Sequence, residues 1–182
     1  MNVYGLLKKI TKAFVPYGVL YLWQISKKRE KFKHYGKLYP EKIFYVIRRP
    51  EPGAGLFSNF HWVLGHILYA HDKNYIPIID MENYKTYYNE TESINGTKNA
   101  WEYYFEQPSS YTLKQVYKSK NVILGAMDYF FDRVPAFFET EEQITRFNDV
   151  ITKYMKFNSM TQDVIKCQKE KLFMEKENIL GH

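Results

Sequence analysis

A strand, a glycine-containing turn, a helix and a second strand follow one another between residues 43 and 80, and this succession constrains the fold most. Residues 43–47 form a short apolar run that is rich in β-forming residues. Apolar residues recur at helical spacing from Leu56 to His71, and residues 75–79 form a second buried-strand pattern. A crossover of about 27 residues between two such strands favours parallel pairing with a right-handed connection.

Two further features complete the prediction of the sheet. Pro77 lies inside the second strand and lacks an amide hydrogen, so this strand is expected at an edge of the sheet or at a bulge. Residues 121–125 predict a third strand. We therefore expect a Rossmann-like, three-layer α/β domain with a mostly parallel sheet over residues 41–182.

The C-terminal third shows two helix starts and an unfinished strand. Residues 140–143 and 159–162 have the Ser/Thr to Gln spacing of a capping box, and an apolar face follows each. Residues 178–182 resemble a strand that has just begun, which suggests that the chain stops in the middle of a larger fold.

The charge is concentrated in an N-terminal arm, residues 1–40. Residues 1–49 contain 12 Lys and Arg against two Glu, which is +10, whereas the remaining 133 residues have 14 bases and 18 acids, which is −4. Apolar residues at helical spacing in the arm predict a basic amphipathic helix. Such a helix suits the surface of an anionic membrane. The cations that would contact it are Lys8, Lys9, Lys12, Lys27, Lys28 and Arg29.

The same arm leaves a simpler interpretation open, in which the helix docks on the domain and its lysines face water. Nucleic acid is a weaker alternative, because no stacking or helix-turn-helix pattern accompanies the charge. No apolar run approaches the roughly 20 residues that span a bilayer, and no secretory signal pattern is present. We therefore expect a cytoplasmic protein, peripheral on the inner face of the cell membrane if the arm binds lipid.

The glycine turn is the first candidate for ligand binding. Gly53 and Gly55 lie between a strand and a helix, where glycine permits close approach and free N–H groups favour anions. The third glycine of the dinucleotide fingerprint is missing, since residue 58 is Ser, so an ordinary tight turn is the alternative. His61, His66 and His71 follow at five-residue intervals, about 140° apart around the helix, and this excludes a shared metal site. They are expected at the surface or half-buried, with His61 nearest to a ligand.

Trp101 and Glu102 are the second candidate pair. Flat aromatic faces beside a carboxylate suit stacking on a sugar ring and hydrogen bonding to its hydroxyls. The alternative is that these aromatic residues fill the core beneath a loop. Asp80 and Glu82 follow a predicted strand, but their distance from other carboxylates does not follow from the sequence.

Four stretches together resemble a known family. They are residues 45–59 with the motif GAGLFSN, residues 76–80, residues 99–108 with the motif NAWEYYFEQP, and residues 153–165. They resemble the N-terminal half of bacterial glycosyltransferases related to the α1,6-fucosyltransferase and nodulation fucosyltransferase group. The motif around Trp101 and Glu102 is the most specific of the four, and the resemblance covers roughly residues 42–181.

This resemblance implies a GT-B architecture, with two Rossmann-like domains facing each other across a cleft. It implies inverting sugar transfer from a nucleotide donor such as GDP-fucose, without an essential metal. Gly53 and Gly55 would line the cleft, and the Trp101 segment would lie on the acceptor-facing domain. Leu56 stands where better-known members have Asn or Gln, and Asn59 follows three positions later as a substrate-binding candidate, so the identity of the sugar stays open. The donor-binding domain is expected to be absent from this chain.

These observations lead to two functional hypotheses. The first is the acceptor-side domain of a glycosyltransferase in surface polysaccharide or glycolipid assembly, which has no turnover alone because the donor half would supply most groups that stabilise the transition state. Its partners would be a glycan or glycolipid acceptor and an anionic membrane surface. The second is a non-catalytic module that binds a membrane surface or a partner protein.

Overall fold

A computed structural model describes residues 29–49, 55–126 and 140–180, with side chains described as far as residue 172. Within these ranges the elements are β1 (Lys31–Lys33), β2 (Leu38–Ile47), α1 (Leu56–Asp72), β3 (Ile76–Ile79), a 3-10 helix (Ala100–Tyr103), α2 (Leu113–Val116), β4 (Ser119–Leu124), α3 (Glu141–Tyr154) and α4 (Ser159–Leu180). Gly53 and the arm residues Lys8, Lys9, Lys12, Lys27 and Lys28 lie outside the described residues.

The four strands form one sheet in the order β1-β4-β2-β3. β2 pairs in parallel with both β3 and β4, so the predicted parallel β-α-β unit from β2 through α1 to β3 is confirmed. β3 lies at an edge, as Pro77 predicts. The sequence-predicted third strand corresponds to β4, in the interior of the sheet.

The sheet is mixed, which corrects the expectation of a mostly parallel sheet. β1 pairs antiparallel with β4, with Phe32 opposite Ile123. Only residues 34–37 connect β1 to β2, and so short a link reverses the chain, whereas a parallel crossover needs a dozen or more residues. The link passes closely over the start of β4, because the amide of Gly36 donates to the carbonyl of Ser119 at 3.0 Å. Residues 31–40, which the sequence analysis placed in the arm, thus include β1 and the first residues of β2.

Apolar side chains cover both faces of the sheet, as strand alternation requires. On one face, Tyr45 and Ile47 of β2 lie in a core with Val63 and Ile67 of α1, and Val150 of α3 joins the same core. On the other face, Phe44 and Val46 pack with Val116 of α2 and with residues of β3 and β4. The architecture is therefore α/β.

The helix boundaries follow local sequence signals closely. α1 extends one residue beyond the predicted end at His71, and the Thr140 side chain caps α3 by accepting from the amide of Gln143. α4 begins at Ser159 as predicted, but Asn158 caps it by accepting from the amide of Thr161 at 2.9 Å. Residues 178–180 continue α4, so the expected strand at that point is wrong. Three apolar or amide-bearing residues are too few to distinguish a strand from a helix.

Candidate functional site

Three polar side chains and a glycine directly follow the parallel strands at their carboxyl ends. Arg48 and Arg49 follow β2, Asp80 follows β3 and Gly125 follows β4. The amides of Asp80 and Gly125 each donate to a β2 carbonyl at 2.9 Å, so these residues continue the ladder at its carboxyl end. Open α/β sheets bind their ligands at this end of the strands.

Arg48 and Arg49 point to opposite faces of the sheet because successive strand residues alternate. Arg48 donates from Nε to the carbonyl of Gly125 at 2.9 Å, and its guanidinium lies 5.3 Å from the ring centroid of Tyr84. Another nitrogen of Arg48 donates to the carbonyl of Arg29 at 3.5 Å, which places the exposed Arg29 beside the carboxyl end of the parallel strands. Arg48 thus links β2 to β4 and to the segment before β1.

Arg49 turns towards the first turn of α1. Its guanidinium donates to Asn59 Oδ1 at 2.7 Å and to Ser58 Oγ at 3.2 Å, and it lies 5.3 Å from the ring centroid of Trp62. The Arg49 side chain is only 7% exposed. A guanidinium group stays protonated in proteins, so the buried Arg49 is positively charged. The start of α1 therefore has a fixed positive charge next to it.

Asn59 holds Arg49 on one side and lines a narrow cleft on the other. It is 3% exposed, and its Oδ1 is engaged by Arg49. Within the described part of the chain, Asn59 Nδ2 is buried without a hydrogen-bond acceptor. A buried, unsatisfied donor costs about 1–3 kcal/mol, so such groups require an explanation. The other walls of the cleft are largely apolar and aromatic, and they include Phe60, Met81, Tyr88, Trp101 and Tyr104.

Gly55 is the N-cap of α1 and has no side chain to cap the helix. Its carbonyl accepts from the amides of Ser58 and Asn59, whereas the amides of Leu56 and Phe57 precede the intrahelical ladder. A Cβ added at Gly55 would lie 3.8 Å from the hydroxyl of Tyr88, so the cleft wall comes close at this position. Gly55 therefore lies next to the cleft that Asn59 and Trp101 line.

Trp101 and Glu102 take part in a buried polar and aromatic network. Trp101 is 4% exposed, stacks on Phe105 at 4.4 Å between centroids and donates to the carbonyl of Glu106. Glu102 accepts from Thr97 Oγ1 and from Gln107 Nε2, each at 2.6 Å. Trp101 is therefore a core residue whose ring also lines the cleft, and the half-buried Glu102 carboxylate is held by hydrogen bonds within the loop.

Asp80 forms a second buried polar centre at the same end of the sheet. It is fully buried and accepts from the amides of Glu82 and Asn83, from Asn83 Nδ2 and, at 2.5 Å, from the Tyr117 hydroxyl. Burial, reinforced by the neighbouring Asp80 charge, raises the pKa of Tyr117 far above its usual value. Burial also raises the pKa of Tyr35, with Tyr84 and Asp80 adding to the effect and Arg48 opposing it.

The three histidines of α1 have separate environments. His61 is half-buried near the start of the helix, and His71 lies within 3.2 Å of the Tyr154 hydroxyl at the other end. His66 is fully buried, with Nδ1 2.8 Å from the Tyr45 hydroxyl, which corrects the expectation of a surface or half-buried residue. It faces the core because it shares a helix face with Trp62 and Ala70. No group of His, Cys, Asp and Glu able to hold a metal ion occurs in residues 29–49, 55–126 and 140–180.

Sequence reasoning assigned no role to Arg48 and Arg49, although two consecutive arginines directly after an apolar strand were a usable signal. It also missed Tyr117, because no local pattern indicates that this residue reaches Asp80, 37 positions earlier. No protein-family model matches the chain, and neither the curated proteins nor the solved structures include a significantly similar one. Among the described helices, none has the length and apolar character needed to cross a membrane.

Proposed function

We propose that this domain is the acceptor-side domain of a glycosyltransferase that uses a nucleotide-sugar donor in surface glycan assembly. The observation that carries the proposal is the buried Asn59, which lines the cleft, positions Arg49 through Oδ1 and leaves its buried Nδ2 without an acceptor. The resemblance of the glycine turn and of the Trp101 motif to the fucosyltransferase group supports it. A Rossmann-like domain of a GT-B enzyme is the corresponding fold proposal.

The groups at the start of α1 favour an oxygen-rich ligand because they are hydrogen-bond donors. Asn59 Nδ2 and the amides of Leu56 and Phe57 can each donate, and the Arg49 guanidinium adds positive charge nearby. Aromatic side chains line the cleft beside them, among them Phe60 and Tyr88. Polar donors next to aromatic faces suit a sugar, which presents hydroxyls at its rim and C–H groups on its ring faces.

The carboxylates of Asp80 and Glu102 have structural roles, because they accept hydrogen bonds within the domain. Asp80 accepts four hydrogen bonds while fully buried, and both oxygens of Glu102 are engaged. A general base must reach the proton that it removes, and we assign none to these two residues. We therefore expect this chain to bind a sugar without turning it over.

The test is a titration of the 15N-labelled chain, followed by amide chemical shifts, with two ligand panels. One contains oligosaccharides and the other contains nucleotide sugars, with GDP-fucose among them. We expect oligosaccharides to shift the amide resonances of residues 55–60. Asn59→Ala should weaken the affinity obtained from this titration at least tenfold. Asn148→Ala, on the exposed face of α3, is the matched control and should leave it unchanged.

Two results would overturn the proposal. A lack of response to every oligosaccharide would remove the sugar-binding assignment. Sub-micromolar binding of a GDP-sugar by this chain would contradict its assignment to the acceptor side, because the donor would then be bound without a second domain.

A second candidate function, a non-catalytic membrane-surface module, is favoured by the net charge of +10 over residues 1–49. In this function the arm supplies the membrane affinity and the domain serves as a scaffold. Membrane binding as such is also compatible with the first candidate, since a membrane-bound domain can bind a lipid-linked acceptor.

A further inference from the structure

Positive charge on the folded domain is concentrated at the β1 edge of the sheet. We define the basic edge as residues 29–42 and 111–121, which contain β1, the first part of β2, α2 and the start of β4. These two segments have eight Lys and Arg against two Glu, which is +6. Residues 55–110, which contain α1, β3 and the Trp101 loop, have three Lys against seven Asp and Glu, which is −4. The domain is therefore electrostatically polarised.

Most cations of the basic edge face solvent. Arg29, Lys33, Lys37, Lys114, Lys118 and Lys120 are exposed, and Lys31 is half-buried. Lys42 is different, because its ammonium group bonds to Tyr111 and lies over that ring at 4.8 Å from the centroid. The exposed cations come from segments distant in the sequence that the sheet brings together, since β1 pairs with β4.

Exposed apolar side chains lie among these cations. Phe32 is 54% exposed, and Tyr35 and Leu38 are each 43% exposed. Lysines on an edge strand can serve to prevent pairing with a strand of another molecule. Exposed aromatic residues on the same edge work against this role, because they favour association. Cations interspersed with aromatic and aliphatic side chains are instead typical of surfaces that enter the headgroup region of an anionic membrane.

We propose that the basic edge binds an anionic lipid surface. Charge complementarity selects an anionic partner, and Phe32 and Leu38 select a membrane over a nucleic acid, since both are aliphatic or aromatic groups that gain by leaving water. In the sequence, two further cations, Lys27 and Lys28, directly precede Arg29. This proposal concerns a different surface from the Asn59 cleft and does not depend on sugar binding.

The test is co-sedimentation of the full chain with vesicles of phosphatidylcholine alone or with 30% phosphatidylserine. We expect binding only to the anionic vesicles. Each Lys near such a surface contributes about a fivefold factor, so the triple variant Lys33→Gln, Lys118→Gln, Lys120→Gln should bind about a hundredfold more weakly. The matched control, Lys156→Gln, Lys166→Gln, Lys169→Gln, removes the same charge from exposed positions outside the edge and should bind within a fewfold of the parent.

Phe32→Ser separates insertion from simple charge attraction. It should weaken binding even at 0.5 M salt, where the charge contribution is largely screened. Circular dichroism and thermal unfolding check that each variant stays folded.

Three results would overturn the proposal. Unchanged binding in the edge triple variant would assign the affinity to residues 1–28, which precede the basic edge. Equal losses in the edge and control triple variants would show attraction to net charge without a defined surface. Tighter binding of the chain to duplex DNA or RNA than to anionic vesicles, lost in the same edge variant, would assign the edge to nucleic acid.

Discussion

At the β3 edge of the sheet a polar loop covers the strand, whereas at the β1 edge a three-residue strand presents lysines and Phe32 to solvent. Gln107 pairs with both backbone groups of Ile79, accepting from its amide at 2.9 Å and donating to its carbonyl at 2.8 Å. Asn99 donates to the same carbonyl at 2.7 Å. The loop contacts stabilise the covered β3 edge, whereas the open β1 edge is accessible to a partner.

The largest difference between the edges should appear when one aromatic residue is removed from each. Trp101→Ala deletes a buried ring stacked on Phe105 and should lower the free energy of unfolding by about 3–5 kcal/mol. Phe32→Ala removes a half-exposed ring and should cost less than about 1 kcal/mol. Urea denaturation followed by circular dichroism measures both. Equal costs would mean that the two edges contribute alike.

Tyr117→Phe removes a hydrogen bond to the buried Asp80 and should cost about 1.5–3 kcal/mol at neutral pH. The raised pKa of Tyr117 also makes stability depend on pH. The unfolded chain loses the Tyr117 proton near pH 10, whereas the folded chain keeps it. The contribution of protonated Tyr117 to stability is therefore complete below about pH 10 and declines above it.

The variant should therefore lose less stability than the parent between about pH 9 and 11, as measured by urea denaturation at each pH. Tyr87→Phe, at an exposed tyrosine, is the control and should keep the parent's slope. An unchanged slope in Tyr117→Phe would contradict the assignment.

Gly36→Ala tests the attachment of the open edge. A Cβ at residue 36 would lie 2.3 Å from the backbone carbonyl oxygen of Lys118, which cannot rotate away as a side chain could. We expect a cost of about 1–3 kcal/mol together with faster amide hydrogen exchange in β1. Gly55→Ala, where the nearest described atom is 3.8 Å away, should cost less. Slow exchange in β1 of the Gly36 variant would show that the link tolerates the methyl group.

Gln107→Ala tests the cover of the β3 edge without removing apolar surface. It leaves the amide of Ile79 without its acceptor and removes one donor to Glu102, so we expect a cost of about 1–2 kcal/mol. Hydrogen exchange at Ile79 should quicken accordingly. Gln168→Ala on the exposed face of α4 should change stability by less than about 0.5 kcal/mol. Similar costs for both variants would remove the special role of Gln107.

Local sequence signals were sufficient to predict the elements that have a strong hydrophobic period or a proline or capping residue at a defining position. The helical spacing after Gly55 predicted α1, Pro77 predicted an edge strand, and Thr140 predicted the start of α3. β1 lacked such a signal, because the pattern Lys-Phe-Lys is too short to distinguish a strand from a loop. Its place depends on the contact between Gly36 and the start of β4, about 80 residues away in the sequence.

The candidate site was predictable only in its position. A glycine turn between strand and helix indicated the carboxyl end of the sheet, where the buried Arg49 and Asn59 lie. The burial of Trp101 depends on stacking partners that are distant from local sequence signals, so the sequence alone does not decide between a core residue and a ligand contact. Trp101 contributes to both, as a core residue whose ring forms one wall of the cleft.

The pairing of Gln107 with Ile79 also limits how the sheet can grow. A side-chain amide that presents one donor and one acceptor occupies the groups that an incoming peptide strand would need at that position. The neighbouring Pro77 offers no amide hydrogen to such a peptide. Extension of the sheet by a peptide from another molecule, whether in a complex or in an aggregate, would therefore meet a blocked edge at β3.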